Sequence, residues 1–236
     1  MVVTGAGRGI GAAVARSAAR RGFTVIINYA HSSGPAQGLA AELGGECFAF
    51  EADVADEGAV VALFTAIDER LGRLDCLVNN AGISGPYGGV ENVTAAALAA
   101  VWAVNLTGAF LCAREAAPRL AAQGGGAIIN VSSKAAVLGG ANEWVHYAAS
   151  KGAIESMTTG LARELATRNI RVNAVRPGLV DNNFGSAPAD RLERMRPMVP
   201  MQRVGTLEEV AEAVIWLAAD APHYLTGSFL DVSGGR

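Results

Sequence analysis

Tyr147 and Lys151 stand four residues apart in a stretch with helical spacing. On one helix face two such side chains can reach a common site. A phenol beside an ammonium can pass a proton to or from an oxygen of a bound molecule. A free tyrosine titrates near pH ~10, so service as a base at neutrality requires lowering that value by about three units, or about 4 kcal/mol. Lys151 is one of two lysines, with Lys134, in a chain that otherwise uses arginine. An ammonium is a compact charge that can also pass a proton, which a guanidinium cannot. Ser132 and Ser133 lie 15 and 14 residues before the tyrosine. Either hydroxyl could steady charge growing on a substrate oxygen.

A second kind of chemistry is written at the start of the chain. Thr4-Gly5-Ala6-Gly7-Arg8-Gly9-Ile10-Gly11 ends a β-rich run and opens a helical one. Glycines there permit a tight turn and let backbone N–H groups approach a pyrophosphate, whose charge the helix N-terminus favours. The spacing departs from G-x-G-x-x-G. At the end of the next run, Val25-Ile26-Ile27-Asn28-Tyr29-Ala30-His31-Ser32, no acidic residue is present to accept from an adenosine ribose and repel a 2′-phosphate. Arg8 supplies a cation, with Asn28 and Ser32 as neutral donors, so NADP(H) is expected to be preferred and NAD(H) remains open. Asp53-Val54 follows the third run; Asp53 could face a nucleotide, or Asp53 or Asp56 could cap the next helix.

These residues need a frame. β-rich runs fall at 1–4, 24–28, 47–51, 76–79, 127–132, 171–175 and 228–231, and helical spacing at 10–21, 37–43, 60–71, 95–120, 147–168 and 207–219. Strand–helix alternation with right-handed crossovers predicts an α/β fold: one doubly wound (Rossmann) domain over residues 1–236, a seven-stranded parallel sheet with helices on both faces. Pro118 marks a last turn or a kink. The segment of about 178–205, with Pro188, Pro197 and Pro200 after Pro177, breaks the alternation and reads as a mobile cover for a ligand.

Composition narrows the function classes. With 51% hydrophobic and 17% charged residues the chain has the makeup of a packed core, and a net charge of −3 gives no general attraction to nucleic acid or an anionic membrane. The apolar run Ala95–Val104 stops at Asn105, short of a bilayer span, and no basic-then-apolar leader precedes Gly5. Cys47, Cys76 and Cys112 form no CxxC pair, and His31, His146 and His223 show no ligand spacing, so no metal is expected. Reduced thiols fit a cytoplasmic protein.

Asn79-Asn80-Ala81-Gly82, Ser132-Ser133, Tyr147-Ala148-Ala149-Ser150-Lys151 and Pro177-Gly178, in this order after the glycine run, resemble the short-chain dehydrogenase/reductases over essentially the whole chain. Ile27-Asn28-Tyr29, Val104-Asn105-Leu106 and Asp231-Val232-Ser233-Gly234-Gly235 resemble the 3-oxoacyl-carrier-protein reductases and glucose 1-dehydrogenases within that family. The resemblance implies hydride transfer between a nicotinamide and a small-molecule carbonyl or secondary alcohol, with Tyr147, Lys151, Ser133 and Asn105 as the catalytic set. It favours Ser133 over Ser132, because the family's active serine stands about 13 residues before the tyrosine.

It also implies that Gly5, Gly9, Ile10 and Gly11 hold the cofactor's phosphates, Asp53 and Val54 its adenine, Asn80, Ala81 and Gly82 its nicotinamide ribose, and Pro177 and Gly178 the carboxamide face. Asn182 stands near a position where the family commonly has threonine, in Leu179-Val180-Asp181-Asn182-Asn183-Phe184, which leaves that contact open. A homotetramer is implied, built on the helices around 95–120 and 147–168. Ala99, Ala103, Ala109 and Ala113 on the first, and Ala153, Met157, Leu161 and Leu165 on the second, supply more apolar surface than one stripe requires.

Two alternatives stay open. One is reduction of a 3-oxoacyl thioester on acyl carrier protein, for which Arg191, Arg194 and Arg196 could form a basic patch, although a solvated helix face is the stronger reading. The other is a nucleotide-sensing protein without catalysis, which would be expected to have lost the Tyr or the Lys.

Overall fold

Short runs rich in valine and isoleucine form the strands, as pleated backbone favours β-branched side chains. The structure, a computed structural model, describes residues 1–182, 185 and 187–236. Strands β1 (Val2–Val3), β2 (Ile26–Tyr29), β3 (Phe48–Glu51), β4 (Cys76–Asn79), β5 (Gly126–Val131), β6 (Ile170–Pro177) and β7 (Phe229–Val232) form one sheet in the order β3-β2-β1-β4-β5-β6-β7. Every pairing is parallel, as the strand–helix alternation predicts. The order reverses between β1 and β4, and a crevice opens at the carboxyl ends of the strands where it does so.

Alternate strand residues feed opposite faces. Val3, Ile27, Val78, Ile129 and Val175 pack beneath helices α1 (Gly9–Arg20), α2 (Ser33–Leu43) and α9 (Leu207–Ile215). Their neighbours Val2, Ile26, Leu77, Ile128 and Val172 pack with α3 (Glu57–Leu71), α5 (Ala109–Ala122) and α7 (Val145–Leu165). Each such side chain, fully withdrawn from water, contributes about 1.5–3 kcal/mol.

Helix starts carry their own signals. Asp56 accepts from Ala59 N at 2.8 Å to cap α3, and Thr206 with Glu209 forms a reciprocal capping box on α9. Asp56 therefore does the capping, and Asp53 accepts from Ala55 N in a local turn at the edge of the crevice.

Several expected boundaries move. α2 opens at Ser33, four residues before the predicted 37, and α7 opens at Val145, two before Tyr147. The long helix begins as α4 (Ala95–Trp102), passes through a π-helical turn over Ala103–Gly108 and continues as α5, with Pro118 inside α5 near its end. Ala95–Ala122 is long and apolar enough, by length and composition, to cross a membrane, so the run is longer than the stop at Asn105 suggests. Its apolarity has a local use: Cys112, Ala113, Ala116, Ala117 and Leu120 pack against the sheet. Of the four alanines named for this helix, Ala109 and Ala113 are buried, Ala103 is half-buried and Ala99 is exposed, so the apolar surface does extend beyond the side that meets the sheet. The exposed large apolar residues of α4 and α5 are Leu98, Trp102 and Phe110.

Within the proline-rich segment, the described residues include α8 (Arg191–Met195) and a parallel bridge between Val180 and Gly205 that ties its two ends together. A short helix, α6 (Ala135–Leu138), follows the serine pair. Cys76 and Cys112 are buried, which pushes both thiols up to about 12 and leaves them inert.

Candidate active site

The crevice is a continuous cleft of about 870 Å³, running from Ser32 and Asp53 past the glycine loop to Tyr147, Trp144 and Arg191. Its nucleotide end is built on main-chain hydrogen bonds. Thr4 Oγ1 accepts from Asn80 N at 2.9 Å and Ala81 N at 3.0 Å, locking the end of β1 to the end of β4. Asn80 Nδ2 donates to Thr4 O and Gly5 O, at 2.8 and 3.2 Å. Asn28 Oδ1 accepts from Gly5 N, while its amide protons go to Ala52 O and, at 3.5 Å, Phe50 O.

Two glycines are dictated by this packing. Gly5 has φ +61° and its missing Cβ would lie 2.9 Å from Ala81 Cα; at Gly11 a Cβ would lie 2.5 Å from Asn80 Nδ2. The loop therefore presents backbone at the start of α1, where first-turn N–H groups have no partner within the helix.

The residues present fit a dinucleotide. Gly5, Gly9, Ile10 and Gly11 line the cleft beside the helix N-terminus, and Asp53, Val54, Asn80, Ala81, Gly82, Pro177 and Gly178 line it on either side. Arg8 is exposed there and, among the described residues, its side chain carries no hydrogen bond or ion pair. Ser32 lines the same end, just before α2. The expectation for Asn28 needs correcting. Its amide protons are spent on backbone carbonyls, so it shapes the glycine loop and has none to give a 2′-phosphate. Asn182 borders the cleft beside Gly9, its carbonyl 3.6 Å from where a Gly9 Cβ would stand; Asn183 and Phe184 lie outside the described residues.

At the other end the structure distinguishes the two serines. Ser133 shares a hydrogen bond with the Tyr147 hydroxyl. Ser132 turns away and bonds Glu155 Oε1 at 2.9 Å. Glu155 is in turn forked by Arg176 at 2.6 and 2.7 Å, so that hydroxyl belongs to a structural network. Lys151, on the same face of α7 as Tyr147, places Nζ 5.7 Å from the phenol ring centre and donates to Val131 O at 2.7 Å.

Asn105 sits in the π-helical turn, which re-aims one side chain out of the regular helical register. Its amide bonds both Ile83 N and Ile83 O and donates to Ser150 Oγ at 3.0 Å. Ser150 Oγ in turn donates to Tyr147 O at 2.7 Å. Asn105 thus braces the catalytic helix through Ser150. Gly82 leaves room for this contact: a Cβ there would lie 3.3 Å from Asn105 Oδ1 and 3.7 Å from Lys151 Nζ.

The electrostatics run opposite to the simple expectation of a depressed phenol. Burial pushes Tyr147 up to about 12, outweighing the Ser133 hydrogen bond and the positive charge of Arg191, which both pull it down. Burial also lowers Lys151 to about 8. The phenol is therefore held protonated at neutral pH, the form that donates a proton to a carbonyl oxygen.

Sequence reasoning places the pocket walls in the segments 139–146 and 178–203 but does not say which side chains meet above Tyr147. Arg191, from α8, forks onto Glu143 at 3.0 and 2.6 Å and lies 4.8 Å over the Trp144 ring. Tyr87 packs edge-on against Trp144 at 5.2 Å and reaches Glu143 at 3.3 Å. No periodicity marks the individual residues, so the sequence pointed to the two segments and not to the contacts between them.

Residues 5–236 match a family model described as enoyl-(acyl carrier protein) reductase. The chain belongs to the short-chain dehydrogenase/reductase family. It is 47% identical to an uncharacterised oxidoreductase, YgfF, of Escherichia coli, covering all of this chain and 98% of that protein. It is 38% identical to a 3-oxoacyl-[acyl-carrier-protein] reductase, FabG, of Staphylococcus aureus, over 99% of this chain and 96% of the relative. Among solved structures it resembles a 3-ketoacyl-(acyl-carrier-protein) reductase from Brucella melitensis complexed with NADH, with a TM-score of 0.93 and 32% identity, covering 100% of this chain and 96% of that one. As a member of this family it is an NAD(P)-dependent oxidoreductase acting on CH–OH groups.

Proposed function

We propose that this short-chain dehydrogenase/reductase reduces small-molecule carbonyls, or oxidises the matching secondary alcohols, with NADP(H) preferred over NAD(H). The observation that carries the reading is the Tyr147 hydroxyl, hydrogen-bonded to Ser133 and backed by Lys151, at one end of the cleft whose other end is the glycine loop.

A bound nicotinamide supplies the hydride. Tyr147 delivers its phenolic proton to the carbonyl oxygen, and Ser133 donates a hydrogen bond to the same oxygen as charge grows on it. Lys151 places a positive charge beneath the ring, which stabilises the phenolate left behind. Asn105 positions the helix that carries both. In the opposite direction each group takes the reverse part. The preference for NADP(H) rests on Arg8, whose exposed side chain is unpaired among the described residues and lines the cleft with Ser32, and on the absence of an acid at the end of β2.

A thioester on acyl carrier protein is the weaker reading, because Arg191 and Arg194 line the cleft and carry ion pairs to Glu143 and Asp190. That leaves Arg196 alone of the three for an outer patch. Residues 178–205 would cover the substrate side of a single catalytic domain, in a cytoplasmic enzyme. Self-association to a homotetramer is supported by the exposed Leu98, Trp102 and Phe110, which a second copy would cover. Light scattering is expected to give four times the 24.1 kDa chain mass. A panel of ketones, sugars and oxoacyl thioesters, followed by loss of NADPH or NADH absorbance, tests the reaction. Turnover confined to carrier-bound thioesters would overturn the small-molecule reading.

A further inference from the structure

The wall above Tyr147 is a set of donors with few acceptors. Arg191 lines the cleft with a side chain 18% exposed, and the indole of Trp144 beneath it at 4.8 Å holds the guanidinium flat. Only its Nε and Nη2 edge is used, forked onto Glu143. Among the described residues Nη1 has no hydrogen-bond partner. Arg194 lines the same space one helical turn on and bonds the Tyr87 hydroxyl. The acid that lines this end is Glu143, and its oxygens already serve Arg191 and Tyr87. Apolar side chains, Leu138, Met195 and Met198, line the remainder.

We propose that the substrate is an oxo acid or hydroxy acid whose carboxylate is received by the free edge of Arg191 together with Arg194, while its carbonyl or carbinol carbon lies at Tyr147. This assignment rests on the carbonyl–alcohol reading above and narrows its substrate class. The planar fork of Arg191 already grips one carboxylate, so the geometry suits a second on its other edge without breaking the pair to Glu143. The Trp144 and Tyr87 rings would flank the carbon chain between the two polar ends. The same fixed cation acts on the Tyr147 phenol, so a carboxylate placed there also sits within the field that sets the acidity of the reacting group.

The charges make sign-reversed tests available. Carbonyl reduction by the intact enzyme would be compared for 4-oxopentanoate and 5-oxohexanoate against their primary amides, which keep size and the ketone but lose the charge. The acids are expected to exceed the amides in kcat/KM by about tenfold or more. Arg191→Gln should bring that ratio close to one, mainly through KM. Glu143→Gln, which removes the nearest competing negative charge, should raise the ratio.

A second readout needs no turnover. Quenching of tryptophan fluorescence by the two oxo acids should give tighter binding than by the amides, and Arg191→Gln should abolish the difference. Acids and amides used equally well, or a ratio unmoved by both substitutions, would overturn the proposal while the carbonyl reading stands. Absence of turnover with every carbonyl tested would strike at that reading instead, and the fluorescence titration would then decide the carboxylate site by itself.

Discussion

At one end of the cleft Thr4, Asn28 and Asn80 spend their polar atoms on backbone groups of the glycine loop and of the segments that end β3 and β4, over distances of 2.8–3.5 Å. At the other end Glu143, Arg191, Tyr87 and Trp144 meet from three separate segments through side-chain charge and ring contacts. The nucleotide end is fixed by hydrogen bonds that any substitution of backbone geometry would break. The substrate end is fixed by pairs that can be exchanged for others without disturbing the sheet. That division lets one scaffold hold a constant cofactor while its substrate wall varies. Tyr147, Ser133 and Lys151 sit where the two ends meet, and their geometry depends on both.

The sharpest test of that junction is Tyr147→Phe. Turnover should fall at least a hundredfold, while cofactor affinity measured by titration barely moves. Turnover within threefold of the parent would show that the proton comes from elsewhere. Next in size is Arg8→Ala, at the nucleotide end. NADPH binding should weaken by about 1.5–3 kcal/mol, or about 10- to 150-fold, with NADH nearly unchanged in calorimetry. Equal losses for the two cofactors would assign Arg8 to the pyrophosphate or the fold.

Backbone dependence at the nucleotide end predicts a contrast between two glycines. Gly11→Ala drives a methyl to 2.5 Å from Asn80 Nδ2 and should cost about 1–3 kcal/mol in denaturant unfolding, with cofactor binding lost in parallel. Gly38→Ala, in α2 with open space around it, should stabilise by about 0.5–1 kcal/mol. Equal effects would show that the loop tolerates movement.

The junction also predicts a pH dependence. Burial lowers Lys151 from 10.5 to about 8, so between those values the unfolded chain binds more protons than the folded one. The stability this group contributes is complete above 10.5 and is lost as the pH falls to about 8, by an amount on the order of 3 kcal/mol. Lys151→Met should remove that slope from urea unfolding of the cofactor-free protein. Carbonyl reduction should weaken as the pH rises through about 8 and Lys151 loses its charge, since Tyr147, pushed up to about 12, stays protonated there. A rate flat to pH 10 would mean that the ammonium is not needed.

What the sequence determined by itself was whatever depends on local pattern. Seven β-rich runs alternating with helical ones defined the parallel sheet, because side-chain period and handed crossovers leave few other arrangements. Tyr147 and Lys151 were legible because four residues along a helix is a short-range relation. The glycine loop was legible because only glycine fits where Gly5 and Gly11 stand.

Only the tertiary structure decided the rest. Ser132 and Ser133 are adjacent in the chain, and what separates them is which faces Glu155 and which faces Tyr147, residues far along the sequence. Asn28 looked like a donor to a phosphate until β3 and the glycine loop were seen to consume its amide. The sequence grouped Ala99, Ala103, Ala109 and Ala113 as one apolar surface, and only the fold showed that Ala109 and Ala113 are buried while Ala99 is exposed. Arg191 and Glu143 lie 48 residues apart and meet because α8 comes back against the loop that precedes α7. A contact between distant segments leaves no period in either of them, so it could be read only after the chain had folded.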